Sequence, residues 1–277
     1  MFNSEYKFNI IPNPIIKFLS ITDGDYAGVN EIKRETPIIV SITSDEDNFS
    51  SLELSLYSLL NQTVKPDRLI LWLSDDEYDL TYLPYSITRY IKNGLEIKFV
   101  KDIGSYTNPI YPLEQFYNSI NVIANDSVYY NKNWLMKLYH SYIASPKDIQ
   151  THNAHQVDLS LPFSKWKKNI NEENAEYNYY PSSLSGVLYP PKCFSKEVFR
   201  DDIFVKNNIT NPDVWLWVMG ILSNRKIRIV KNHNKRITST NIFKYIFEDK
   251  NKKYSQIDTQ ISKLMEFYGQ NILPKLK

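Results

Sequence analysis

Short runs of apolar, largely β-branched residues alternate with segments of helical spacing through the first half of this sequence. Pro37–Ile42, Arg68–Leu73 and Leu95–Val100 are strand-like runs. The leucines of Leu52–Leu60 and the apolar residues of Ile87–Ile91 recur at helical intervals between them. This alternation indicates βαβ units with right-handed crossovers. We therefore expect an α/β fold with a mainly parallel sheet flanked by helices.

The second half continues the same alternation with less regular spacing. We expect a fourth strand at Asn121–Ala124, a helix at Asn133–Ser145, a strongly apolar helix at Val214–Leu222 and a further strand at Ile227–Val230. The segment Pro181–Pro191 is predicted to be a loop, because it contains a glycine and is bounded by prolines.

Three regions follow from these patterns. Residues 1–35 show no clear period and are expected to form an N-terminal extension, and residues 36–231 form a single domain. Residues 232–277 are basic and predicted to be a helical C-terminal extension. Four apolar residues of that extension fall on one helical face: Ile257, Ile261, Leu264 and Tyr268.

Charge and cysteine content limit the partners and the compartment. The 33 Lys and Arg residues against 31 Asp and Glu give a formal net charge of +2, which disfavours a nucleic-acid partner. The single cysteine, Cys193, cannot form an internal disulfide and favours a reducing compartment. No run is long and apolar enough to span a membrane, and the N-terminal stretch is not a secretory signal. We expect a cytoplasmic protein, with peripheral contact at the inner face of a membrane as an alternative.

Several common active-site motifs are missing from the sequence. The seven glycines form neither GxGxxG nor GxxxxGK[ST], and there is no GxSxG. His152 and His155 form an HxxH pair near His140. These histidines are either metal ligands or ordinary hydrogen-bonded side chains, and the lack of a Cys partner or an HExxH motif favours the second interpretation.

Polar segments follow the expected strands at the edge where ligands bind in parallel sheets. They are Thr43–Asp47, Ser74–Asp76, Asp102–Tyr106 and Asn125–Ser127. Because the carboxyl ends of parallel strands lie at one edge of the sheet, we expect Thr43, Asp75 and Asp126 to lie close together.

These segments carry a resemblance to a known group. Residues 38–73, Tyr130 with Trp134-Leu135, Ser185–Pro191 (SGVLYPP) and Asp213-Val-Trp215 occur in the order typical of bacterial family-2-like glycosyltransferases of surface polysaccharide and lipopolysaccharide synthesis. The resemblance covers about residues 36–231 and implies a GT-A-like (Rossmann-like) fold. It rests on the order of the four segments, since each alone has little specificity.

The resemblance also implies roles for individual residues. It implies a nucleotide-sugar donor bound by residues at the strand ends and by one glycine: Thr43, Ser44, Asp75, Asp76, Asn125, Asp126, Ser127 and Gly186. It makes Asp126 the candidate ligand for a divalent cation, Mn2+ or Mg2+, and Asp213 the candidate general base. A cation stabilises the charge of a diphosphate leaving group, and a carboxylate takes the proton of the acceptor hydroxyl.

The sequence departs from the family pattern at the charged positions. The family's aspartate triplet is Asn125-Asp126-Ser127 here, so one carboxylate remains. Where the family has a basic pair after Ser-Tyr, this chain has Thr107-Asn108. Where the family has an arginine before Ala-His, this chain has Asn153. Of a later Asp-Asp pair, only Asp213 is present. Each change removes charge from the diphosphate site, so we expect weak divalent-cation binding in the absence of nucleotide.

Structural alternatives exist for the same residues. Asn211-Pro212-Asp213 is also a favourable helix start, and Asp126, Asp75 and Asp76 are also typical turn residues. Three tryptophans are more typical of a core than of sugar stacking: Trp134, Trp215 and Trp217. Seven basic residues have two interpretations. They form a surface that binds anionic lipid or a lipid-linked acceptor, or they form a solvated face without a ligand: Lys231, Lys235, Arg236, Lys244, Lys250, Lys252 and Lys253.

Two hypotheses follow for function. The first is an inverting glycosyltransferase that moves a sugar from a nucleotide-sugar donor to a glycan or lipid-linked acceptor. The second is a catalytically silent GT-A homologue that binds glycan or a partner glycosyltransferase. The retained Asp126, Asp213 and SGVLYPP segment favour the enzyme, and the lost charges favour the silent homologue.

Overall fold

The computed structural model describes residues 8–9, 28–168, 170, 172, 174–231, 237–240 and 249–276. Its strands are β1 (Phe8–Asn9), β2 (Ile38–Thr43), β3 (Arg68–Ser74), β4 (Leu95–Val100), β5 (Ile120–Ile123), β6 (Val128–Tyr129), β7 (Ile149–Thr151), β8 (Ala154–Gln156), β9 (Ala175–Glu176), β10 (Tyr179–Pro181), β11 (Val187–Tyr189), β12 (Ile227–Ile229) and β13 (Ile237–Ser239). Its α-helices are α1 (Phe49–Leu60), α2 (Tyr85–Thr88), α3 (Thr107–Gln115), α4 (Trp134–Ala144), α5 (Asp201–Lys206), α6 (Pro212–Leu222) and α7 (Lys250–Ile272).

An eight-stranded sheet forms the centre of the molecule, with strand order β4-β3-β2-β5-β11-β7-β12-β9. The four strands from β4 to β5 are mutually parallel, as are β7 and β12. The pairs β5–β11, β11–β7 and β12–β9 are antiparallel. The predicted α/β class with a mainly parallel sheet is therefore confirmed.

The central strands are apolar on both faces because helices or loops cover both sides. In β2 and β3 the residues from Ile38 to Ile42 and from Leu69 to Leu73 are buried. Val40 is in register with Leu69 on one side and Val122 on the other. Near-continuous apolar runs of this kind are typical of parallel strands that are covered on both faces.

The segment predicted to be a loop at Pro181–Pro191 contains a central strand instead. Its residues Val187–Tyr189 form β11, which pairs antiparallel with β5 and β7. The loop prediction was wrong because the strand has only three residues and glycine and proline lie on either side of it. The two neighbouring strands, both distant in sequence, supply the hydrogen bonds that a local pattern does not reveal.

Local stop and start signals agree with the helix boundaries. The helical segment that contains Ile87 and Ile91 ends at Asn93-Gly94, where Gly94 has a left-handed conformation with φ of 94°. The helix before it is shorter than expected: α2 has four residues, and the chain continues as a 3-10 turn over Arg89–Asn93. The predicted start at Asn211-Pro212 is confirmed, because the Asn211 side chain caps α6 and Pro212 is its first residue.

The C-terminal helix is present, as predicted, and packs against α6. Ile257, Ile261 and Leu264 are buried against the main core, so one face of α7 completes the hydrophobic centre. Near the other terminus, β1 pairs with β13, which in turn pairs with β6. The boundaries at residues 35 and 231 stay a prediction. Within the described ranges, no helix is both long and apolar enough to cross a membrane.

Candidate functional site

A cleft of about 430 Å³ lies at the carboxyl ends of β2, β3 and β5. Four of the eight residues predicted to bind the donor line this cleft: Thr43, Ser44, Asn125 and Asp126. Its other lining residues are Asp45, Ser74, Glu77, Tyr78, Asp102, Gly104, Ser105, Thr107, Asn108 and Ala124. Parallel strand order thus brings together residues that are up to 83 positions apart in sequence, from Thr43 to Asp126.

Asp126 is held at the cleft by two serine hydroxyls. One carboxylate oxygen accepts a hydrogen bond from Ser44 Oγ at 2.8 Å, and the other accepts one from Ser127 Oγ at 2.9 Å. The residue is 6% exposed, and its carbonyl oxygen accepts a further bond from Ser55 Oγ. Bonds to an ionised acceptor are about twice as strong as neutral ones, so this carboxylate ties the end of β2 to the end of β5.

This arrangement does not fit a resident divalent cation. Each oxygen of Asp126 already has a hydroxyl partner, and Asn125 Oδ1 accepts from the Ser127 backbone N–H at 2.9 Å. Within the part of the chain that the structure describes, no group of three or more His, Cys, Asp or Glu side chains is placed to hold a metal. A hard cation prefers six or more oxygen ligands with several charges, and the segment Asn125-Asp126-Ser127 supplies one carboxylate.

The cleft is lined by acidic side chains. Four carboxylates belong to its wall, those of Asp45, Glu77, Asp102 and Asp126. None of the described lining residues is Lys, Arg or His. Asp126 is buried and the other three acids are exposed. With no basic residue among them, the described lining residues supply no positive charge to stabilise an uncomplexed diphosphate.

Asp75 and Asp76 lie in an exposed turn between two lining residues, Ser74 and Glu77. The Asp75 backbone N–H donates to the Val100 carbonyl oxygen at 2.9 Å, which fixes the turn to the end of β4. Both carboxylates are exposed at the rim and are not among the lining residues of the cleft.

Gly186 lies apart from the cleft, against the ring of Trp134. A Cβ at this position would be 2.3 Å from Cζ2 of the indole, and the glycine has φ of 82°. The indole N–H donates to the Ser185 carbonyl oxygen at 2.7 Å. The structure therefore gives the glycine of SGVLYPP a packing role, since no side chain fits between β11 and α4.

Asp213 lies in the first turn of α6, close to the loop that precedes β11. Its carboxylate accepts a long hydrogen bond, 3.4 Å, from the Ser183 backbone N–H. Desolvation raises the pKa of Asp213 above its ordinary value of 3.8. The hydrogen bonds from Ser183 and the charge of Lys253 lower the pKa, but desolvation is the larger effect. A raised pKa brings a carboxylate closer to the range in which a general base works at neutral pH.

The segment before Asp213 is bonded to the cleft wall, although Asp213 itself is not a lining residue. Ser105 Oγ donates to the Thr210 carbonyl oxygen at 2.6 Å, and Tyr106 Oη donates to that of Ile209 at 2.7 Å. These bonds connect the turn before α3 to the start of α6.

The three tryptophans and the two histidines of the HxxH pair are core residues, whereas His140 is exposed. Trp134, Trp215 and Trp217 are buried, as the core interpretation expected. His152 Nε2 lies 3.1 Å from the Trp134 carbonyl oxygen, and His155 packs edge-on against Phe163. Buried aromatic packing accounts for both histidines.

The predicted basic surface is only partly described. Lys252 and Lys253 line a second pocket of about 530 Å³ between the starts of α6 and α7, next to Thr210 and Asn211. Lys231 is exposed. Lys235, Arg236 and Lys244 lie outside the described residues.

Five lining residues lie outside the polar segments that were predicted at the strand ends: Glu77, Tyr78, Thr107, Asn108 and Ala124. Glu77 and Tyr78 follow the exposed turn after β3, and Asn108 is the second residue of α3. The strand-end rule indicates only the first residues after each strand, and these three lie three to eight residues further along. Tyr78 carries one detectable signal, an aromatic residue in a polar turn.

The comparisons with known proteins give a structural similarity and no sequence family. No protein-family model matches the chain, and no curated protein matches it in sequence. One solved structure similar to it is "Crystal structure of GalNAc-T7 with UDP, GalNAc and Mn2+". The match has a TM-score of 0.48 and 12% sequence identity, and it covers 97% of this chain. The chain spans 64% of the length of that structure's chain.

Proposed function

We propose that this protein is a glycosyltransferase of the GT-A type that moves a sugar from a nucleotide-sugar donor to a glycan or lipid-linked acceptor in surface polysaccharide synthesis. The observation that carries the proposal is the cleft at the carboxyl ends of parallel strands. There, Thr43 and Ser44 of the first strand–helix unit meet Asn125 and Asp126, which the sequence resemblance matches to the family's aspartate triplet. The sequence resemblance supports the same function.

The reaction we propose is a direct displacement with inversion. The acceptor hydroxyl attacks the anomeric carbon of the donor, the bond to the nucleoside diphosphate breaks, and the hydroxyl proton passes to a carboxylate. Asp213 is our candidate for that base, because desolvation raises its pKa and the first turn of α6 fixes its position. No step in this scheme is assigned to a cation, since Asn125-Asp126-Ser127 supplies a single carboxylate and both of its oxygens accept serine hydrogen bonds.

The first test is binding. A thermal-shift screen of nucleotide sugars, each with and without Mn2+, should identify a donor that raises the melting temperature of the full chain. With Asp126 engaged by hydroxyls, calorimetry should show weak Mn2+ binding to the free protein. Tight Mn2+ binding would contradict our interpretation of this carboxylate.

The second test is turnover. Asp213→Asn keeps the shape of the side chain, so the fold should be retained within about 1 kcal/mol. Loss of proton abstraction should lower turnover roughly 100- to 10,000-fold, with little change in donor affinity. Asp201→Asn is a matched control, because Asp201 is an exposed acid in the first turn of α5. Equal turnover of wild type and Asp213→Asn would remove Asp213 from the mechanism.

A second function, glycan binding without transfer, is favoured by the charge of the cleft. Four carboxylates line it, and the described wall supplies no basic side chain for a diphosphate. A catalytically silent homologue that binds a glycan or a partner glycosyltransferase is compatible with such a wall. This alternative becomes the better one if no nucleotide sugar stabilises the wild-type protein and a free glycan does.

A further inference from the structure

The cleft contains a buried hydrogen-bond acceptor without a partner. Asn108 is 7% exposed and lines the cleft, and its Oδ1 has no hydrogen-bond partner among the described residues. Its Nδ2 donates to the Ala124 carbonyl oxygen at 3.1 Å, which fixes the orientation of the amide. A buried acceptor left unpaired costs free energy, so this oxygen favours a ligand that donates a hydrogen bond.

A second polar atom of the same wall is also unpaired. Ser74 Oγ, at the end of β3, is buried and has no hydrogen-bond partner in the described part of the chain. A hydroxyl group can donate or accept a hydrogen bond, so Ser74 Oγ can pair with either kind of ligand group. The amide oxygen of Asn108 can only accept. The two residues come from the end of β3 and the start of α3 and belong to one cleft.

The charge of the wall points to the same chemistry. Glu77 and Asp102, both exposed, are lining residues together with Asp45 and Asp126, so four of the fourteen lining residues are acidic. A carboxylate is an acceptor only, and its charge attracts an ammonium group. Acceptors therefore predominate in the wall, and none of its described residues carries a positive charge.

We propose that this cleft binds an amino sugar through its free ammonium group and its hydroxyls, with Asn108 Oδ1 as an acceptor of one ligand N–H or O–H. The acidic lining residues favour the positively charged ammonium group. Asn108 Oδ1 favours a ligand whose N–H or O–H group lies at the position where it donates to this oxygen. This inference deepens the proposed function and rests on it for the assumption that the ligand is a sugar. It specifies the sugar at this site as cationic, rather than neutral or N-acetylated.

The test compares three sugars of similar size by calorimetry on the full chain. Glucosamine is measured below neutral pH, where its amine is protonated, against glucose and N-acetylglucosamine. We expect glucosamine to bind at least about tenfold more tightly than either neutral sugar, since one ammonium faces several carboxylates. Its affinity should fall as salt is added, while that of the neutral sugars stays constant.

Three variants separate the charge from the hydrogen bond. Glu77→Gln should lower glucosamine affinity about fivefold and leave the neutral sugars unchanged. Asn108→Leu should lower the affinity of all three sugars by about tenfold or less, because it removes a shared acceptor. It also removes the Nδ2 donor of the Ala124 carbonyl oxygen, so the melting temperature of this variant is measured beside that of wild type, and Glu77→Gln keeps the test decisive if the leucine variant does not fold. Glu114→Gln, an exposed acid of α3 away from the cleft, is the matched control and should change nothing.

The outcomes distinguish this inference from the proposed function. Equal binding of the three sugars, or tighter binding of glucose or N-acetylglucosamine than of glucosamine, overturns the inference. If a nucleotide sugar binds and glucosamine does not, the inference fails and the transferase proposal stands. If no sugar and no nucleotide sugar binds, both fail.

Discussion

Gly186→Ala should destabilise the protein strongly, because it would cause both backbone strain and a steric clash with Trp134. The backbone has φ of 82° and ψ of 140°, a region that residues with a Cβ avoid at a cost of about 1–3 kcal/mol. The new methyl group would also lie 2.3 Å from Cζ2 and 2.8 Å from Cε2 of Trp134. Moving this packed indole costs about 1–3 kcal/mol more. The sum is a loss of roughly 2–6 kcal/mol in the free energy of unfolding.

Gly104→Ala is the matched control for this measurement. Gly104 also has a positive φ, 63°, but no atom lies within 4 Å of a Cβ built there. Only the backbone cost applies, about 1–2 kcal/mol. Urea unfolding of wild type and both variants, followed by tryptophan fluorescence, measures the two losses. The reasoning is refuted if Gly186→Ala is within about 1 kcal/mol of wild type, or if both variants lose the same stability.

Three further predictions concern the acids and the thiol. Asp126→Ala removes the shared acceptor of Ser44 and Ser127 and should cost about 2–4 kcal/mol by the same unfolding assay; an unchanged midpoint would show that these bonds are not formed. Because desolvation raises the pKa of Asp213, the folded state binds its proton more tightly, so this residue's contribution to stability should fall as pH rises from about 3.8 through the raised pKa. The melting temperature of Asp213→Asn should therefore rise relative to that of wild type as pH increases over that window. A difference in melting temperature that does not change with pH would contradict this prediction. Burial raises the pKa of the Cys193 thiol, so an aromatic disulfide reagent should label it only in the unfolded protein, and rapid labelling of the native state would disprove its burial.

The strongly patterned parts of the chain were predictable from the order of its residues. The strands β2 and β3 and the helix α1 between them follow from the alternation of apolar runs and helical spacing over residues 37–73. The cap of α6 follows from Asn211-Pro212, because an N-cap side chain and a first-turn proline act within one turn of helix. Each of these features depends on neighbours that are close in sequence.

The candidate site was predictable only in outline. The strand-end rule placed Thr43 and Asn125 at one edge, because all parallel strands end on the same side of a sheet. The rule does not say how far the following turns extend, so it missed Glu77 and Asn108. Nor does it show that the single carboxylate of Asn125-Asp126-Ser127 accepts hydrogen bonds from two serine hydroxyls.

The sequence by itself determined the fold class, the main strands and the helix ends, since these depend on apolar period, capping and proline within a few residues. Tertiary structure alone decided that Val187–Tyr189 is a central strand, that Gly186 packs on Trp134, and that the cleft is acidic with an unpaired acceptor at Asn108. The physical reason is the same in each case. Hydrogen-bond partners, steric contacts and local charge come from segments far apart in the chain, and only folding brings them within reach of one another.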